Sequence, residues 1–215
     1  MANSFSEPII GILRGVEADF FGEIMEVSFA AGLKALEVTM NTPGVERIIA
    51  RYRPQVPAGR YLGVGTVCTV EEARRAIDCG AMFLVSPNFD ARVIDFAKSV
   101  GVPVVAGALT PTEVYGAWTA GADMVKVFPC QALGGARYIR DLRGPYDTIP
   151  LVAVGGVALA NLEEYFAAGV SGVGVSATLF GKAALQERDG AAIGRNVKTF
   201  IEHCRQAQDR LQSAS

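Results

Sequence analysis

Lys126 lies in the run ADMVKVFPC (122–130), with Met124, Val125, Val127 and Phe128 around it and Pro129 closing the segment. A short apolar run of this kind reads as a buried parallel strand. An ammonium inside it is costly unless it is paired or gives up its proton. The residue type has a use there: a desolvated lysine can form a Schiff base with a ketone, once its pKa falls from about 10.4 toward 7 or 8. Three more polar side chains sit in similar strand-like surroundings, Glu37 in KALEVTM, Arg14 in PIIGILR and Thr66 in YLGVGTV. The glutamate could move protons, directly or through a water. The arginine could clamp a substrate carboxylate with paired hydrogen bonds, and the threonine could add a second contact.

These residues need a scaffold that brings distant strands together. Apolar, β-branched runs recur at 8–14, 34–40, 61–67, 82–87, 102–109, 122–128, 150–156 and 171–177. Between them lie stretches with helical patterning, among them 20–32, 70–80, 91–101, 111–121 and 162–169, each ending on a glycine, a common helix-stop signal. A polar, amphipathic stretch at 187–212 predicts the last helix. Strand and helix alternating in this way predict a single α/β domain over 1–215, a (β/α)8 TIM barrel near the short end of that fold's range. An open doubly wound sheet would usually carry GxGxxG after its first strand, and GILRGVEAD does not supply it.

Side chains of barrel strands alternate between the lumen and the surrounding helices. On strand 6, Val125 and Val127 suit the helix side, so Met124, Lys126 and Phe128 face the lumen. The same count puts Glu37 and Thr39 of strand 2, Ile10, Ile12 and Arg14 of strand 1, and Val64 and Thr66 of strand 3 inside. A buried Lys126–Glu37 pair without any reaction is the plain alternative, although such pairs are often replaceable by apolar residues. Gly155 and Gly156 follow strand 7, and GVGVSATLFG leads from strand 8 into a helix. Barrels often hold phosphate with backbone N–H groups of these two loops. Together the groups describe cleavage of a phosphorylated 2-keto acid into pyruvate and a phosphorylated aldehyde, with no cofactor.

Bulk properties narrow the classes further. The chain has 215 residues, 50% of them hydrophobic, a net charge of −2 and no Lys/Arg run, so no nucleic-acid partner is expected. No window approaches a membrane span of about 18 apolar residues, and MANSFSEPII shows no secretion signal. The four cysteines, Cys68, Cys79, Cys130 and Cys204, form no CxxC and suit reduced thiols in the cytoplasm. With His203 as the one histidine, outside the strands, a zinc-dependent aldolase is disfavoured and no metal is expected. A phosphosugar isomerase or epimerase on the same barrel would not need Lys126 in mid-strand. A non-catalytic barrel would leave the lysine pKa unaltered.

GILRG (11–15), ALEVTMNTP (35–43), GVGTV (63–67), LVSPNFD (84–90), GALTPTE (107–113), VKVFP (125–129) and VAVGGV (152–157) follow one another in order. Through these segments the chain resembles, nearly end to end, the 2-keto-3-deoxy-6-phosphogluconate and -phosphogalactonate aldolase family. The resemblance implies a class I aldolase on a (β/α)8 barrel, commonly a trimer, in cytosolic sugar-acid catabolism. It implies Lys126 as the Schiff-base lysine and Glu37 as general acid/base. It implies substrate contacts from Thr66, Pro87, Phe128, Gly155, Gly156 and the Ser176–Ala177 turn. In the gluconate branch an arginine stands two places after EVT; here that position is Asn41, and the arginine is Arg14 in ILRG. That arrangement, the N-x-P after strand 2 and Val154 before Gly155 look like the galactonate branch. Ala177 stands where the family has a phosphate serine, with Ser176 one residue earlier, which leaves a backbone contact. The expected substrate is 2-keto-3-deoxy-6-phosphogalactonate, followed by its gluconate epimer and by 4-hydroxy-2-oxoglutarate.

Overall fold

The computed structural model describes residues 8–213, so the segment read for a secretion signal lies largely outside the described residues. Eight parallel strands close into one barrel in chain order, with β1 (Ile9–Leu13) paired to both β2 (Ala35–Thr39) and β8 (Gly172–Val175). The others are β3 (Tyr61–Gly65), β4 (Leu84–Val85), β5 (Val104–Ala108), β6 (Met124–Val127) and β7 (Leu151–Val154). The chain is therefore a (β/α)8 barrel. The helices are α1 (Ala18–Ala30), α2 (Val45–Tyr52), α3 (Val70–Asp78), α4 (Ala91–Ser99), α5 (Pro111–Thr119), α6 (Ala136–Arg143), α7 (Leu162–Ala167), α8 (Ala177–Phe180), α9 (Lys182–Glu187) and α10 (Gly190–Ser213).

Two apolar layers follow from the alternation. Ile10, Ile12, Ala35, Phe83, Val85, Val105, Met124, Val152 and Val154 form the lumen cluster. Val38, Val64, Val125, Val127, Ala153 and Val173 face outward into the larger core shared with the helices. Burying both strand faces is what makes these segments near-continuous apolar runs. Thr69 and Thr110 cap α3 and α5, and Glu72 and Glu113 return bonds to the cap backbones, so T-x-x-E fixes where both helices begin.

Two expectations change. Strand 3 has the opposite parity: Val64 packs outward, and the lumen positions are Tyr61, Gly63 and Gly65. A Cβ at Gly63 would come within 2.5 Å of the Phe83 ring, and one at Gly65 would overlap the Glu37 carboxyl. The lumen face of β3 is thus glycine because its neighbours' side chains occupy the space. Second, the run at 82–87 yields only the two-residue β4. Pro87 has no N–H to extend a ladder, and the Ser86 hydroxyl accepts from Gly107 N and donates to Asn88 O. Two helices not named among the stretches read from the sequence, α2 and α6, begin after Gly44 and Gly135, at φ 74° and 63°, without side-chain caps. They therefore lack the start signal that marks α3 and α5.

Candidate active site

At the C-terminal end of the strands lies a cavity of about 390 Å³ lined by Ile12, Arg14, Glu37, Thr66, Pro87, Lys126, Phe128, Val154, Gly155, Gly156, Ser176, Ala177 and Thr178, among others. Every site residue nominated from the sequence lines this one cavity. A larger cavity of about 820 Å³ runs outside the barrel between Asp19, Phe29, Tyr52 and Arg60, away from Lys126.

Lys126 projects from β6, between Gly107 of β5 and Val152 of β7. It is 6% exposed, and its Nζ lies 4.8 Å from the centroid of the Phe128 ring. Glu37 projects from β2, flanked by Ile12 and Gly63, and is 1% exposed. Its Oε2 has no hydrogen-bond partner among the described residues. Among those residues no direct ion pair joins Glu37 to Lys126, although each charge acts on the other.

Burial dominates the electrostatics of both groups. It pushes the Lys126 amine well below its usual range; Glu37 pulls the other way, and the Arg14 charge adds to the fall. Burial raises the Glu37 carboxyl to about 7, against the opposing pull of Lys126 and Arg14. The neutral forms of both side chains are therefore favoured together. An uncharged amine and a carboxyl poised near neutrality are what nucleophilic addition and two-way proton transfer need. Cys68, exposed two residues beyond Thr66, has its thiol pushed up, chiefly by burial.

Arg14 sits at the mouth, one residue past β1. Its Nη1 donates to Asn41 Oδ1 at 2.7 Å and its Nη2 to Thr66 Oγ1 at 3.3 Å. Thr66 reaches the mouth by its backbone rather than by strand alternation. It adopts φ 59°, a left-handed conformation uncommon for a β-branched residue. Across the cavity Gly155 and Gly156 have φ of 93° and 86°. A Cβ at Gly156 would overlap the Gln131 side chain, so its bareness also serves packing. Asn161 braces this loop, accepting from Ala158 N and donating to Gly156 O, both at 2.9 Å. Ser176 and Ala177 lead into α8, and Thr178 Oγ1 ties the turn to Val157 O at 2.9 Å. Asn41, Asn161 and Thr178 are supports that strand periodicity could not reveal, because all three lie outside the strands. Among the described residues no cluster of three or more His, Cys, Asp or Glu is arranged to hold a metal ion, and no helix is long and apolar enough to cross a membrane.

The chain is similar to proteins of known family. The model of the family "Aldolase: KDPG and KHG aldolase" matches residues 5–196. The 2-dehydro-3-deoxy-6-phosphogalactonate aldolase of Escherichia coli (strain K12) is 33% identical, over 91% of this chain and 95% of its own. The 2-dehydro-3-deoxy-phosphogluconate aldolase of Treponema pallidum (strain Nichols) is 40% identical over a shorter stretch, 63% of this chain and 64% of its own. A solved structure described as native KDPGal superposes with a TM-score of 0.89 at 30% identity, covering 97% of this chain and all of that one.

Proposed function

Because the chain belongs to the KDPG and KHG aldolase family, we propose that it is a metal-independent class I aldolase whose preferred substrate is 2-keto-3-deoxy-6-phosphogalactonate. The reading rests on one observation above the rest: a buried amine of lowered basicity shares a cavity with a buried carboxyl whose Oε2 has no partner among the described residues. Arg14 in ILRG and Val154 before Gly155 resemble the galactonate branch of the family, and that resemblance favours the galactonate epimer over the gluconate one. The relative from Escherichia coli that bears the galactonate name matches over most of both chains.

In this reading the neutral Lys126 amine adds to the C2 carbonyl carbon, the carbonyl electrons become an alkoxide, and one proton of the added nitrogen passes to that oxygen to give the neutral carbinolamine. Glu37, protonated at that stage, supplies the proton that lets the hydroxyl leave as water. The product is an iminium, an electron sink next to C3. Glu37, now ionised, takes the proton of the C4 hydroxyl. The O–H electrons form the C4 carbonyl, the C3–C4 bond breaks, and its electrons pass through C2 to nitrogen as an enamine. Glyceraldehyde 3-phosphate departs. The enamine recovers a proton at C3 from Glu37, and water releases pyruvate and the free amine. A carboxyl near 7 can serve in both directions at neutral pH.

Arg14 pairs with the substrate's C1 carboxylate, and Thr66 adds a hydroxyl beside it. Pro87 and Phe128 wall the pyruvate half, while the Gly155–Gly156 loop and the Ser176–Ala177 turn receive the phosphate through backbone groups. A single barrel domain, assembly as a homotrimer and residence in the cytoplasm belong to the same proposal. The deciding experiment measures kcat/KM side by side on the two epimeric phosphorylated keto acids, with pyruvate–borohydride trapping as the check on Lys126. The galactonate epimer is expected to have the larger value. Equal values, or a larger one for gluconate, would sink the assignment while leaving the aldolase chemistry in place.

A further inference from the structure

We propose that Asn41 is a positioning residue for the substrate's carboxylate, acting through Arg14. The inference rests on the reading of Arg14 as the carboxylate clamp. Arg14 is exposed at the cavity mouth, and among the described residues no carboxylate is in ion-pair contact with it. A free arginine side chain there would sample many rotamers, and fixing it on substrate binding would cost affinity. Two neutral acceptors fix it beforehand, Asn41 Oδ1 at 2.7 Å and Thr66 Oγ1 at 3.3 Å, one on each terminal nitrogen. These bonds set the plane of the guanidinium. They use two of its five N–H donors and leave the others for a ligand.

The neutrality of the partners matters as much as their position. An aspartate or glutamate would orient the guanidinium equally well but would cancel the charge that the substrate must find. Asn41 orients it and leaves the charge whole. The residue after it secures the backbone: Thr42, 2% exposed, accepts from Gly15 N at 3.0 Å and bonds Thr39 Oγ1 at 3.0 Å. The loop after β2 thereby holds both the side chain of Arg14 and the main chain next to it. Thr42 serves the fold; Asn41, exposed and, among the described residues, with its side chain bonded to the arginine tip alone, serves the charge.

The test compares borohydride trapping by wild type, Asn41→Ala, Asn41→Asp, Arg14→Ala and the Arg14→Ala/Asn41→Ala double variant. Each is titrated with pyruvate and with acetone, a ketone that lacks the carboxylate. Asn41→Ala is expected to raise the half-saturating pyruvate concentration about tenfold, the scale of one hydrogen bond to a charged group, while acetone trapping stays within twofold of wild type. Asn41→Asp keeps the acceptor and adds a negative charge, and is expected to weaken pyruvate capture at least as much. Asn41→Ala is expected to add nothing once Arg14 is gone. Unchanged pyruvate saturation in Asn41→Ala overturns the inference alone. So does a parallel fall in acetone trapping, a full additive loss in the double variant, or an Asn41→Asp enzyme that behaves as wild type. A wild type that traps neither ketone overturns the Schiff-base reading, and this inference with it.

Discussion

Replacing Glu37 by Gln keeps the shape of the protonated acid and removes its titration. In the folded protein burial raises the carboxyl from 4.5 to about 7. Between those values the unfolded chain has released its proton while the folded chain still holds it. Glu37 therefore contributes stability that is fully present below about 4.5 and is lost as pH rises through about 7. At about 1.4 kcal/mol for each pH unit between the two values, the loss is about 3 kcal/mol. The Gln variant has no such dependence. Its stability relative to wild type is expected to rise by about 3 kcal/mol from pH 4.5 to pH 8, as measured by urea unfolding of both proteins in matched buffers. The difference between the two curves isolates Glu37 from every other titrating group. Parallel curves would mean that the carboxyl titrates as an ordinary surface acid, and the poised acid/base argument would fail with it. The same variant should exchange the methyl protons of pyruvate far more slowly, since its amide neither takes nor returns a proton.

Two other substitutions probe the neighbours. Lys126→Met should abolish the borohydride-trapped pyruvate adduct and all turnover without lowering the melting temperature, because it replaces a buried amine with an apolar side chain of similar length; measurable kcat in the variant would refute the lysine's role. Gly65→Ala places a methyl group where the Glu37 carboxyl now lies. It should destabilise the protein by about 1–3 kcal/mol and cut kcat severely, since the carboxyl must move; wild-type kinetics and unfolding would show that Glu37 is not held where the cavity geometry places it.

The barrel, the lysine and the glutamate were legible because each is marked by contrast. Lys126 alternates with Val125 and Val127, so the valines declare the helix side and leave the lysine the lumen. β3 offers no such contrast. Its inward positions Gly63 and Gly65 carry no side chain, so Val64 reads as the inward residue when it is the outward one. Thr66 enters the site for a reason that strand counting does not contain, a left-handed backbone after the strand ends. Asn41 is an exposed polar residue in a turn, noticed in the sequence as the place where an arginine is missing, and its bond to Arg14 shows only when the β1 and β2 loops meet. The illegible features share a cause: each depends on a neighbour distant in sequence. Gly65 is bare because Glu37 fills its space, and Glu37 lacks a partner because β3 offers it none there. A larger residue on β3 would have pushed the carboxyl out toward water or given it a fixed contact, and either change would return its pKa toward that of an ordinary acid. The missing side chain on one strand is thus part of what keeps the acid on the next one poised.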